Sequence, residues 1–114
     1  MTILNEGARA GDFLLSEAAG QRSREQITLL AISDVAPAGT VVVLDTNGYK
    51  PYVAPNPVVA ITKQVAILFN NKPASTETQD AAVIIRDAEV DGEVLFGLNS
   101  AVASALSSQG IIVR

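Results

Sequence analysis

The hydrophobic pattern of this chain alternates between short apolar runs and polar, turn-rich connections, a spacing that predicts many short strands and little helix. Phe13, Leu14 and Leu15 lead into Ala18–Gln21, a short strand entering a turn, and Gln26–Ile32 (QITLLAI) resumes a β-like run. The two runs are expected to pair as a hairpin. Thr40–Asp45 (TVVVLD) has the strongest β propensity in the chain. Asn47-Gly48 follows it directly and suits the positive φ angles of a two-residue hairpin loop, so Tyr49–Val53 is expected to return beside TVVVLD, with Pro51 pushing it toward an edge. Val65–Phe69 (VAILF) is continuously apolar and short, the signature of a strand buried at the centre. Asn70–Asp80 reads as a polar surface loop, and Ala81–Arg86 as a further strand.

The period changes near the end. Leu98, Val102, Ala105 and Leu106 fall on one helical face, with serines largely elsewhere. Asn99 is the expected N-cap and Gly110 the expected stop, leaving Ile111–Arg114 to pair as a last strand. At the other end, Met1–Asp12 contains few large apolar residues and buries no face periodically, so it reads as an extended, flexible arm preceding one domain over residues 13–114. Asp34–Gly39 and the Pro55/Pro57 segment are loops. The fold class expected from these elements is mainly β, with one C-terminal helix.

Composition sharpens this. At 114 residues the chain builds one core, and with 48% apolar but only 4% aromatic residues that core is filled by Val, Ile, Leu and Ala. A core of this kind gains from association with copies of itself or with a larger surface. The net charge of −4, without a basic run, argues against nucleic-acid binding. No apolar stretch approaches the ~18 residues a membrane span needs, and no leader pattern opens the chain, so it is read as soluble and unprocessed. The absence of cysteine removes disulfides and thiolate chemistry.

Catalytic patterns are poorly supported. The chain has no histidine, and its serines and glycines spell neither a nucleophile elbow nor a phosphate loop. Lys50, Lys63 and Lys72 sit in or beside turn signals, where solvation is the expected state. Asp87, Glu89, Asp91 and Glu93 alternate and so would share one side of a strand. A single strand lines carboxylates up instead of wrapping them around a cation, and Asp91-Gly92 breaks the row, so a solvated strand edge is expected there and no metal or cofactor site is assigned. Arg22, Arg24 and Glu25 (RSRE) are expected in a solvated hairpin loop, the alternative being an ion-pairing node at an interface.

Taken in order, EGARAGDFLLSEAAGQRSRE (6–25), AGTVVVLD, VAILF, AVIIRDAEVDGE (82–93) and the closing LSSQGIIVR resemble the head decoration proteins of lambda-type bacteriophages. The resemblance implies a small β-barrel-like or β-tulip domain, without catalysis or cofactor. It implies a homotrimer on the outer surface of the expanded head at three-fold positions, bracing the shell against packaged DNA, with the host cytoplasm as its location before assembly. The implied partners are the major capsid protein and other copies of the chain. Thr2, Ile3, Leu4 and Asn5 of the arm, with Phe13, Leu14 and Leu15 of the first strand, are the expected capsid-contact residues. Phe13–Leu15 are weighed between that role and the core. A small β-barrel module binding a peptide or ligand is the alternative reading.

Overall fold

The computed structural model of the chain describes residues 11, 13–17, 23–54 and 59–114. Two sheets and one helix organise them. Strands β1 (Leu14–Glu17), β7 (Ala88–Val90) and β8 (Ile111–Val113) form a three-stranded sheet in the order β1-β7-β8. Strands β2 (Arg24–Leu29), β3 (Val41–Asp45), β4 (Gly48–Pro51), β5 (Val65–Leu68) and β6 (Gln79–Ile84) close a barrel in the order β2-β4-β3-β5-β6, with β6 pairing back to β2. Helix α1 (Ser100–Ser108) packs on β8 and β5. The mainly β class with a barrel and one C-terminal helix is therefore what the residues adopt.

The alternation of side chains across the barrel wall explains why the centre of the sequence is so apolar. Val42, Ala66, Leu68, Ala81, Val83 and Ile85 belong to one buried cluster with Ile27 and Leu29, the barrel interior. Their neighbours Val41, Val65, Ile67 and Ile84 belong to a second cluster, which includes Phe13, Val90, Val102, Leu106 and Ile111. The three-stranded sheet and α1 thus cover the outside of the β3-β5-β6 wall. A strand buried on both faces has no polar alternation, and all four residues of β5 are buried.

Most local signals act close to where the sequence places them. The turn from β3 into β4 comes one residue earlier than expected: Asp45 pairs with Gly48, so Thr46 and Asn47 form the two-residue loop and Gly48 opens β4, in a register that runs on to Val42↔Pro51. The Asn99 carboxamide oxygen accepts a hydrogen bond from Val102 N–H at 2.9 Å, capping α1, while Gly110 takes φ +83° directly after the C-cap residue Gln109. The Asn99 amide also donates to the Tyr52 hydroxyl at 3.2 Å. Asn99→Ala is expected to cost about 1 kcal/mol, read from the urea unfolding midpoint.

Two expectations about pairing are corrected. The run from Phe13 and the run from Gln26 do not form a hairpin: β1 pairs antiparallel with β7, and β2 pairs with β6 and, at Leu29↔Tyr49, with β4. Burying Phe13 and Leu14 in the second cluster requires β1 to lie outside the barrel wall, where β2 does not reach. Nor is β4 an edge, because it stands between β3 and β2; Pro51 is accommodated because it lies past the Leu29↔Tyr49 contact. The expected loop over Asn70–Asp80 is tied down by isolated bridges of Lys72 to Ala36 and of Ser75 to Ile32, and it ends where β6 begins at Gln79.

Candidate functional site

Of the seven expected contact residues, the three that the structure describes, Phe13, Leu14 and Leu15, separate by burial. Thr2, Ile3, Leu4 and Asn5 lie outside the described residues, as do Arg22 and the Pro55/Pro57 loop. Phe13 is 1% exposed and meets Phe69 edge-on, with ring centroids 6.5 Å apart. Leu14 is half-buried against the second cluster. Leu15 is 51% exposed. An irregularity in register between Leu14 and Ser16 places Leu15 as the extra residue of a bulge, the kind of feature that re-aims a side chain.

Beyond Leu15, the open face of the three-stranded sheet carries the row Ser16, Glu89 and Ile112. Ile112 points away from the cluster that holds Ile111 and Val113, and its side chain is exposed. Arg114 Nε donates to Glu89 Oε1 at 3.1 Å, and this guanidinium holds the Glu89 carboxyl below its ordinary pKa. The sequence pattern did not single out Ile112; its alternation with Ile111 and Val113 in a terminal strand is the signal that finds it.

Ser23, Arg24 and Glu25 do not form the expected solvated loop. Ser23 is buried, and Arg24 and Glu25 open β2. Arg24 Nε lies 3.0 and 3.1 Å from the two Glu17 carboxylate oxygens, tying the barrel to β1. The Arg24 guanidinium also stacks on Phe69, its carbon 4.2 Å from the ring centroid. Glu25 pairs with Arg86, two residues past the end of β6.

The acidic row does not converge. Asp87 turns the chain at φ +52°, Glu89 is held by Arg114, and the Asp91 carboxylate accepts from Glu93 N–H at 3.0 Å to start a short 3-10 helix over Gly92–Val94. Strand β7 is the middle strand of its sheet, not the expected edge. Among the described residues, no group of three or more Asp and Glu side chains is arranged to hold a metal ion. Elsewhere, Lys50 pairs with Asp45 at 3.2 Å. The Asp45 carboxyl is held low by the Thr46 N–H and then by Lys50. Burial, and after it the negative charge of Glu25, pushes the Tyr49 hydroxyl up. An open groove of about 480 Å³ runs along Ala31–Pro37 and is bordered by Lys50, Pro51 and the exposed Val53. No helix among the described residues is long and apolar enough to cross a membrane.

The chain matches the family model of bacteriophage lambda head decoration protein D over residues 3–111, and it belongs to that family. No curated protein and no solved structure matches it. Members of the family are structural proteins that decorate the phage capsid and are not known as enzymes, so this chain is a capsid-decorating component of the virion.

Proposed function

We propose that the protein assembles as a homotrimer on the outer surface of the expanded phage head, at the three-fold positions of the shell, and stabilises the capsid against the pressure of packaged DNA. The observation that carries this reading is the family match across nearly the whole chain. Residues 1–12 act as an arm that contacts the major capsid protein, and Leu15 extends that contact onto the domain. Leu15, Ile112, Val53 and Phe96 are large apolar side chains left exposed on one copy, and surface of this kind is what neighbouring copies and a shell would cover. Phe13, buried within its own chain, supports the contact by seating β1 instead of touching the shell.

The physics of a trimer suits the task. An extended segment can add as a strand to a sheet edge of the shell, and ordering at the moment of contact would reduce the affinity of one copy. Three arms on one trimer make the second and third contacts intramolecular, so detachment is slow although each contact is modest. Before assembly the protein resides in the host cytoplasm.

Co-sedimentation with expanded, undecorated heads tests the proposal, comparing the full chain with one lacking residues 1–12. Saturable binding by the full chain, weakened by the deletion, is expected. A folded full chain that shows no saturable binding overturns the reading and leaves the groove beside Val53 as the surface to test for peptide binding.

A further inference from the structure

Gly11, where residues 1–10 meet the rest of the chain, is held by contacts that converge from distant parts of the sequence. Its N–H donates to the Phe69 carbonyl at 2.9 Å, and its own carbonyl accepts from Leu14 N–H at 2.9 Å. Its φ is +73°, and a Cβ placed there would stand 3.0 Å from the Phe69 ring, so the backbone lies against the ring itself. Phe13, two residues on, packs edge-on to the same ring, while its carbonyl accepts from Asp91 N–H at 2.8 Å. Phe69 in turn carries the Arg24 guanidinium, which the Glu17 carboxylate holds in place through both oxygens. Ser23 Oγ donates to that same carboxylate at 3.2 Å.

We propose that Arg24 is a positioning residue for capsid binding: paired with Glu17, it holds the Phe69 ring as a pad under Gly11 and so fixes the point from which residues 1–10 reach the shell. This rests on the reading that those residues touch the shell. The cation–ring stack and the ion pair reinforce each other, because the carboxylate that neutralises Arg24 also orients its plane over the ring. A segment of ten residues spans at most ~35 Å, so the place and direction of its root decide what it can touch. A root ordered before binding also spares that ordering at the moment of contact, and each residue so pre-ordered strengthens binding by about tenfold.

The test uses the full-length protein and two readouts. Amide hydrogen exchange at residue 11 reports the tie directly, and affinity for expanded heads reports its consequence. In Arg24→Ala, exchange at residue 11 is expected to rise about tenfold while Leu68 and Gly39, whose amides are bonded inside the barrel wall, keep their protection. Gly11→Ala, which places a methyl against the Phe69 ring, is expected to reproduce this pattern without touching Arg24. Shell affinity falls about tenfold in Arg24→Ala. The same substitution has little effect in a chain already carrying Ile3→Ala and Leu4→Ala, because the arm contact it positions is then lost.

Unchanged exchange at residue 11 in both variants overturns the proposal. So does an affinity loss of equal size with and without the Ile3 and Leu4 substitutions, which would mean that Arg24 itself touches the shell. A chain protected at residue 11 that binds no shell would instead refute the capsid-contact reading beneath it, and with it any effect of the tie on affinity.

Discussion

Gln109→Ala is expected to lower the stability of the fold by about 3 kcal/mol, a large share of the roughly 5–15 kcal/mol that holds a domain of this size together. Gln109 caps the C-terminus of α1, but its side chain works on the barrel. Its carbonyl oxygen accepts from Val65 N–H at 3.0 Å, and its amide donates to the Val65 carbonyl at 2.7 Å and to the Ile85 carbonyl at 2.8 Å. The carboxamide therefore pairs with Val65 as a neighbouring strand residue would, filling the space between β5 and the end of β6 beyond their last pair, Ile67↔Ile84. Val65 and Ile85 are buried. Truncation leaves one N–H and two carbonyls to find other partners, at about 1 kcal/mol or more each. Gln109→Glu retains the shape but loses both donors and sets a carboxylate against two carbonyl oxygens, so it is expected to be at least as damaging at neutral pH and partly relieved in acid, where a protonated carboxyl can donate again. Urea unfolding of both variants measures this; a loss below about 0.5 kcal/mol for the alanine variant would show that water replaces the carboxamide without penalty.

Gln109 also marks where sequence reading stops. A glutamine between a helix and a glycine has the appearance of an ordinary polar helix end, and its role becomes visible only with the gap that β5 and β6 leave beside α1. Signals that act within a few residues were legible: a β3–β4 turn at Asn47, although its two loop residues are Thr46-Asn47 and not Asn47-Gly48, Asn99 as the cap of α1, Gly110 as its stop, and Val65–Phe69 as a buried strand. Pairing across long separations was not. The pattern FLL followed by a polar stretch is compatible with a hairpin to β2, and nothing local says that β1 pairs with Ala88–Val90 instead. The Glu17 and Arg24 side chains do join β1 to β2, yet as an ion pair between sheets and not as a ladder. The candidate site was legible to the same degree. Three consecutive apolar residues, Phe13, Leu14 and Leu15, look equivalent in sequence, and a bulge separates the buried from the exposed ones. Ile112 and the Phe69–Arg24 stack escaped notice because each gains its meaning from a distant partner.

Substituting adjacent residues of β5, one at a time, is expected to give two large losses in place of one. In a strand with one wet face, neighbouring truncations differ sharply, since one side chain is buried and the next is in water. Ile67 and Leu68 are both inaccessible to solvent but belong to opposite clusters, Ile67 facing the helix and outer sheet and Leu68 facing the barrel interior. Ile67→Ala and Leu68→Ala should therefore each cost about 3 kcal/mol, from lost transfer free energy and the cavities left behind. Thr28→Ala, on an exposed position of β2 between the buried Ile27 and Leu29, should stay within about 0.5 kcal/mol. Chemical unfolding of the three variants decides it, and a near-neutral Ile67→Ala would mean that α1 and the three-stranded sheet do not seal the outer wall. The consequence reaches the proposed capsid contact, because Phe13 is anchored in the Ile67 cluster and β1 begins one residue later. Loosening that cluster should disturb the seating of β1, and of Leu15 on it, more than the equally costly Leu68→Ala does. Hydrogen exchange at the β1–β7 ladder, compared between the two variants, distinguishes a fold that is uniformly weakened from one whose three-stranded sheet has come away from its barrel.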